Sequence, residues 1–258
     1  MIKLKKLFFV VNAKSVIVAA LAVISTYLCR RFHLTAEFPL TLITTAVIFP
    51  IVFSIGGAYK RRENALREYG SLKAHGRAVF FAARDWPQQS DEKTKARTST
   101  LLGDLLKACR KLFTETIDEM PGNEEAVYKI FSQLSNHIIS LRNDKGLASG
   151  EASRCNQYLS KMIIAFESVK HIYQYRTPRA LRLYSDIFIV VLPILYGPYF
   201  AYISKDFSRG LEYLLPILFS VVLVTLDQIQ EHLENPFDQI GEDDIVINAE
   251  KFVSRLEL

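Results

Sequence analysis

The feature that most constrains this chain is the uncharged stretch FPLTLITTAVIFPIVFSIGGAY at Phe38–Tyr59. About 20 apolar residues in a helix that rises 1.5 Å per residue span the ~30 Å hydrocarbon core of a bilayer, so this stretch is long enough to cross a membrane. Pro50 lies in its middle, and a proline removes one backbone hydrogen bond from a helix. Membrane helices tolerate such a break where neighbouring helices or a water-filled path satisfy the backbone. The stretch is therefore predicted to be the functional helix of a membrane protein with several spans.

Three further apolar segments bring the predicted number of spans to four, arranged in two pairs. A basic and apolar leader at residues 1–14 precedes the first, and a second span follows so soon that a retained helix is favoured over a cleaved signal peptide. Lysine and arginine are more frequent in the leader and after Tyr59 than between the first two spans, which favours cytoplasmic termini. The three segments are Ser15–Leu28, Asp186–Ser204 and Tyr213–Leu226.

Between the two pairs of spans, the sequence is charged and mostly free of proline. Apolar residues recur at helical spacing, and no alternating strand pattern is sustained. The pattern predicts a cytosolic helical bundle that is continuous with the second span, with chain breaks at Pro87–Ser90, Pro121–Asn123 and Thr177–Pro178. The predicted helices are Lys60–Trp86, Asp91–Asp118, Glu124–Leu141 and Ser149–Tyr175.

Composition excludes several classes of protein. The net charge is +5, but 50% of the residues are hydrophobic and the basic residues cluster beside the spans, where they serve topology or lipid contact rather than nucleic acid. The three cysteines have no metal or redox spacing, and the five histidines are isolated. No hydrolase, zinc-protease, P-loop or dinucleotide-binding motif is present. We therefore expect no enzymatic activity, no catalytic residue and no required cofactor.

Within the second span, Phe49, Phe53 and Gly57 follow one another at intervals of four residues and share one helical face. If several copies of this helix surrounded an axis, the phenylalanines would form apolar rings, and such constrictions gate ion flow by dewetting. The alternative is that both side chains pack against other spans. Periodicity leaves both interpretations open.

The acidic tail ENPFDQIGEDD supplies several oxygen ligands close together, and hard cations such as Ca²⁺ prefer oxygen. The spacing is not that of an EF-hand loop. A solvated acidic turn, or one paired with the basic stretch Lys60–Arg62, is the alternative. The candidate Ca²⁺ ligands are Asn235, Glu242, Asp243 and Asp244.

Three segments in this order resemble the bestrophin family and its bacterial relatives. They are IFPIVFSIGG in the second span, the following AYKRRENALREYGSL, and the tail ENPFDQIGEDD. The resemblance covers nearly the whole chain. It implies an all-α membrane protein in which residues 1–258 form a single bestrophin-like channel domain. Its parts are the leader and first two spans (1–59), the cytosolic helical region (60–184), the last two spans (185–226) and a cytosolic acidic tail (227–258).

The resemblance also implies a function and site residues. The expected protein is a homopentameric ion channel in the lipid bilayer, in the inner membrane if the source is bacterial, with chloride as the permeant ion. Phe49, Phe53 and Gly57 would line the pore neck and Leu181 the cytosolic aperture. Glycine at 57 departs from the family, where a large apolar side chain is usual. The resemblance to animal members, whose acidic tail forms a Ca²⁺ clasp, is weaker at residues 238–240. These residues separate Phe237 from Gly241 in this chain, a second departure that would change the geometry of such a clasp here.

Two other functions stay open at this point. A cation-conducting channel of the same fold has the same sequence features, because the residues do not decide the sign of the permeant ion. A membrane scaffold that conducts no ions and recruits cytosolic partners would explain the charged helical region without using the broken spans. The number of subunits in detergent separates a central pore from the scaffold.

Overall fold

The computed structural model describes residues 12–37, 40–175, 178–206, 210–237 and 244–256, and within these ranges the chain is helical and has no strand. Two short 3-10 turns, Ile117–Glu119 and Leu211–Tyr213, each precede a helix. The helices are α1 (Ala13–Arg31), α2 (Leu40–Asp85), α3 (Glu92–Thr114), α4 (Met120–Asp144), α5 (Ser149–Gln174), α6 (Arg179–Leu195), α7 (Gly197–Ile203), α8 (Leu214–Glu234) and α9 (Ala249–Ser254).

The chain divides into two compact units, each built from two separate parts of the sequence. The first contains Met1–Lys60 and Thr177–Glu234, and the second contains Arg61–Arg176 and Asn235–Leu258. Helix α2 continues without interruption from Leu40 to Asp85 and contributes to both. The prediction that the second span continues directly into the following helix is confirmed. Whether the two units act as one channel domain stays a prediction.

The first unit contains the apolar helices. Within the described residues, α1, α2 and α8 are long and apolar enough to cross a membrane, and α6 with α7 makes a fourth span if this bent pair is counted as one. Helix α1 packs against α6, α7 and α8. The chain is thus an all-α membrane protein, as predicted. The buried apolar core of this unit is formed by Val18, Val47, Ile51, Ile189, Leu192, Tyr196, Phe200, Leu223 and Val224.

The second unit is a bundle in which α3 packs against α4 and α9, and α4 packs against α5. Its larger core includes the tail that follows α8. Phe237 stacks on Phe113 with ring centroids 5.0 Å apart, and Phe252 and Leu256 are also buried. Asp91 caps the start of α3, where its carboxylate accepts a hydrogen bond from the Thr94 amide at 2.8 Å. The tail is therefore part of this core.

Two predicted boundaries were wrong, each for a physical reason. The chain does not break at Pro121–Asn123, because these residues form the first turn of α4, where the missing amide hydrogen of a proline costs no helical bond. The break lies earlier, after Thr114. The fourth span was predicted to end at Leu226, but α8 runs unbroken to Glu234. The leader is described only from residue 12 onward, so most of it lies outside the described residues.

The predicted third span consists of two helices that meet at a bend. Helix α6 begins at Arg179, earlier than predicted, and ends at Leu195, and α7 leaves it at an angle of 42°. Pro198 lacks the amide hydrogen that would continue the helical bond to Ile194, and the Ser25 hydroxyl of α1 donates to that carbonyl oxygen at 2.8 Å. A side chain of a neighbouring helix thus satisfies the backbone at the bend.

Candidate functional site

The candidate site begins with two phenylalanines on α2. The Phe49 and Phe53 side chains are 58% and 63% exposed, although their helix is apolar here. Their rings meet edge to face with centroids 4.6 Å apart, which shows that both project from the same side of the helix. The structure therefore brings together the two aromatic residues that the spacing placed on one face.

The other side of α2 is buried in the core of the first unit. Val47, Ile51, Ser54 and Ala58 are each at most 3% exposed. They recur at intervals of three or four residues, the spacing of a single helical face. The phenylalanines are thus not the side chains that hold α2 to its own unit. Neither phenylalanine is therefore buried against the described residues of its own unit, and the role of both as neck residues stays a prediction.

The third predicted neck position differs from the first two. Gly57 is half-buried, whereas the preceding Gly56 is exposed and has open space where a Cβ atom would stand. Lys60 follows on the exposed side and is the first charged residue after the apolar stretch. The role of Gly57 as a neck residue stays a prediction.

Leu181, the predicted aperture residue, lies in the first turn of α6 and is half-buried. Its amide donates to the Pro178 carbonyl oxygen at 3.0 Å, and its own carbonyl oxygen accepts a hydrogen bond from Ser185 at 3.2 Å. Leu183, two residues further along, is 59% exposed. The structure fixes the local conformation of Leu181 and leaves its role as an aperture untested.

Ion pairs that sequence reasoning missed join three helices of the first unit. Lys14 of α1 binds Asp227 of α8 at 2.5 Å and lies 3.9 Å from Asp186 of α6. Arg182 of α6 binds Glu234, which is almost completely buried, and lies 3.3 Å from Glu231. An isolated buried charge is costly, so these pairs make the helix ends depend on one another. The acidic residues at the end of an apolar segment were the only available signal.

Solved structures with the same arrangement of helices provide the decisive comparison. A variant of a bacterial bestrophin homologue from Klebsiella pneumoniae aligns with 95% of this chain and 100% of its own, at a TM-score of 0.77 and 15% sequence identity. The fold is that of the bacterial bestrophin homologues. Two other structures of the Klebsiella pneumoniae homologue give TM-scores of 0.75 and 0.73 at 16% and 15% identity. The two alignments include 98% and 95% of this chain, and 98% and 94% of the respective homologue chains.

The bestrophin-like fold confirms the resemblance proposed from the three sequence segments. No protein-family model and no curated protein matches this sequence. At 15–16% identity the likeness shows the fold alone, so the function must be argued from this chain's own residues.

The tail of this bestrophin-like chain was predicted to hold Ca²⁺, and the structure describes two of its four candidate ligands. Glu242 and Asp243 lie outside the described residues. The Asn235 side-chain oxygen accepts a hydrogen bond from the Phe237 amide at 3.4 Å, which forms a local turn, and Asp244 is half-buried. Among the described residues, no three His, Cys, Asp or Glu side chains converge on a common point. The described part of the set does not by itself make a calcium site.

Proposed function

We propose that this protein is an ion channel that assembles as a homopentamer around a central pore, with the apolar part of α2 lining a narrow neck. The observation that carries the proposal is the exposure of Phe49 and Phe53 on the side of α2 that faces away from the core of its own unit. A chain with a bestrophin-like fold presents these two rings to whatever surrounds the helix.

Both exposed rings are large and apolar. Exposed apolar side chains of this size are unfavourable in water and need lipid or another protein surface around them. Five copies of α2 around an axis would place the Phe49 and Phe53 rings in two stacked apolar constrictions. A narrow apolar pore empties of water easily, so small changes in its width switch conduction on and off. The same side chains thus form both the barrier and the gate.

Chloride is the proposed permeant ion, because the edges of aromatic rings carry partial positive charge and favour anions. A cation-conducting channel is the alternative of the same fold. Reversal potentials of the reconstituted protein in asymmetric KCl distinguish the two. A reversal potential near that of chloride supports the proposal, and one near that of potassium supports the alternative.

The test of the pore replaces one phenylalanine at a time. Phe53→Ala should increase the conductance or weaken the closure of the neck, because it removes one apolar ring. Phe32→Ala is the matched control, since Phe32 is 66% exposed and lies in the same unit but outside α2. Unchanged currents in a correctly assembled Phe53→Ala protein would show that α2 does not line the pore.

A membrane scaffold without conduction is the second candidate, favoured by the charged surface of the second unit. Mass measurement in detergent decides between the candidates, because a monomer or dimer has no central five-fold pore. In the channel proposal, the protein spans the membrane several times with both termini in the cytoplasm. We assign no catalytic role to any residue.

Calcium binding is a separate proposal for Asn235, Glu242, Asp243 and Asp244. If the tail holds Ca²⁺, chelation of calcium should change the open probability. Replacing Asp244 with asparagine should weaken that response, because Ca²⁺ prefers charged oxygen ligands. A channel that responds identically with and without calcium would exclude this site.

A further inference from the structure

Lys60 stands in line with the two phenylalanines of the proposed neck. It lies seven residues after Phe53 and eleven after Phe49. At 3.6 residues per turn, these intervals are about two and three full turns, so the Cβ of Lys60 points within about 20° of both phenylalanine directions. Pro50 precedes Phe53 and so does not affect the interval from Phe53 to Lys60, and the helix is unbroken over the longer interval from Phe49 as well.

Nothing in the described structure neutralises the Lys60 ammonium. The side chain is exposed, and no carboxylate of the described residues lies within ion-pair distance of it. Two other cations of the same unit are paired, since Lys14 binds Asp227 at 2.5 Å and Arg30 lies 3.4 Å from Glu212. The charge of Lys60 is therefore available to act on whatever passes along this face of α2.

The face of α2 between Phe53 and Lys60 is open at Gly56. Gly56 lies about 60° from Phe53 and about 40° from Lys60 around the helix axis, and no atom of the described residues lies within 4 Å of the place where its Cβ would be. At the level of Gly56, therefore, no side chain of the described residues covers this face. An ion that leaves the Phe53 ring would meet the Lys60 ammonium next, about 10 Å further along the helix axis.

We infer that Lys60 determines the preference of this channel for anions, by forming a ring of positive charge at the end of the neck that adjoins the charged part of α2. This inference rests on the proposed pentameric channel and deepens it. Five unpaired ammonium groups at one level raise the local concentration of a small inorganic anion such as chloride and lower that of cations. The apolar rings form the barrier, and Lys60 determines that anions rather than cations cross it.

The test measures reversal potentials of the reconstituted full-length protein in a KCl gradient. Lys60→Arg keeps the charge and should keep the chloride preference. Lys60→Gln should lower the chloride-to-potassium permeability ratio by about threefold, the size expected for several unit charges screened over a Debye length. Lys60→Glu should lower the ratio further and favour potassium. Lys205→Gln is the control, because it removes an exposed lysine of the same unit outside α2.

The possible outcomes separate this inference from the proposed function. If the wild-type protein carries no current, the channel proposal fails. If it conducts and Lys60→Glu leaves the permeability ratio unchanged, the channel stands and the role of Lys60 is overturned. An equal effect of Lys205→Gln would also overturn it, because the preference would then follow the net charge of the protein.

Lys60→Glu is compared with a variant whose charge is changed chemically only after assembly, so that a failure to assemble does not obscure the result. Lys60→Cys, made in a Cys29→Ser background, can be modified after the pentamer has formed. A cationic thiosulfonate should restore the chloride preference, and an anionic thiosulfonate should reverse it. Identical effects of the two reagents would show that bulk, rather than charge, matters at this position.

Discussion

The hydroxyl of Tyr184 donates a hydrogen bond to the carbonyl oxygen of Ala46, at a distance of 3.1 Å. Ala46 lies four residues before Pro50, so its carbonyl is the one that loses a helical donor when proline occupies position 50. A side chain of α6 thus supplies the bond that the backbone of α2 lacks. The interruption in the proposed pore helix is satisfied from a neighbouring helix of the same unit.

Tyr184→Phe should destabilise the protein by about 1 kcal/mol, because it leaves the Ala46 carbonyl without its donor and changes little else. Thermal unfolding of the purified protein in detergent measures the effect. Tyr27→Phe is the control, since Tyr27 is 54% exposed and forms no hydrogen bond with the described residues. Pro50→Ala restores a backbone donor to Ala46, so the cost of Tyr184→Phe should shrink in that background. An equal cost in both backgrounds would contradict the pairing.

Gly197→Ala should destabilise the first unit by about 2 kcal/mol. A Cβ at this position would lie 2.2 Å from the Ser25 hydroxyl oxygen and 3.1 Å from the Ser25 backbone carbon, so α1 and α7 would have to separate. The same change at Gly70, where nothing lies within 4 Å, should stabilise α2 by about 0.5–1 kcal/mol. The two melting temperatures should therefore move in opposite directions. Similar shifts at both positions would refute the close contact.

Stability should fall as the pH drops below about 6.5, and His137 should account for part of the loss. Burial and then the nearby Arg97 lower the pKa of His137 from its ordinary value of 6.5. In this pH range the unfolded chain binds a proton that the folded chain does not, so the free energy of unfolding decreases as the pH falls. Above pH 6.5 both states are neutral at this residue, and the effect disappears.

His137→Gln should reduce the difference between the melting temperatures at pH 7.5 and pH 5. The Thr98 hydroxyl donates to the Thr94 carbonyl oxygen at 2.8 Å, so it accepts from the His137 ring at 2.8 Å, and a glutamine amide can donate in its place. His171→Gln, at an exposed histidine, provides the comparison. A His137→Gln protein with unchanged pH dependence would argue against this explanation.

Two of the three cysteines should resist alkylation in the folded protein. Cys109 and Cys155 are each 1% exposed, and burial raises their thiol pKa to about 12 and about 11. The thiolate is the reactive species, so both side chains are protected by their burial and also by their raised pKa, which keeps the thiols protonated. Maleimide should label native protein at Cys29 alone, and Cys29→Ser should abolish labelling until denaturant is added. Mass spectrometry counts the adducts, and labelling of native Cys29→Ser protein would disprove the expected burial.

Much of the fold could be predicted because the signals were local. The uncharged stretch around Pro50, the helical spacing after Lys60 and the apolar segment Asp186–Ser204 each depend on a few consecutive residues. A helix boundary was predicted wrongly where the same residue type occurs in two different structures. Pro121 was interpreted as a break, but a proline is equally suited to the first turn of a helix.

The partners of individual groups could not be predicted, because they are distant in sequence. Nothing near Ala46 indicates that Tyr184 would satisfy its carbonyl, and nothing near Lys14 indicates Asp227. For the same reason, sequence spacing placed Phe49 and Phe53 on one face but left open whether that face was buried. The exposure of both side chains required the packed helices around them.

The incorporation of the tail into the second unit has a consequence for biosynthesis. Phe237, Phe252 and Leu256 belong to the same core as Leu72, so this core cannot close while only the earlier helices have left the ribosome. The last two apolar segments must be made before Phe237 is translated. A premature stop codon near residue 236 would therefore release a chain with all its predicted spans and an open hydrophobic bundle, a target for quality-control proteases.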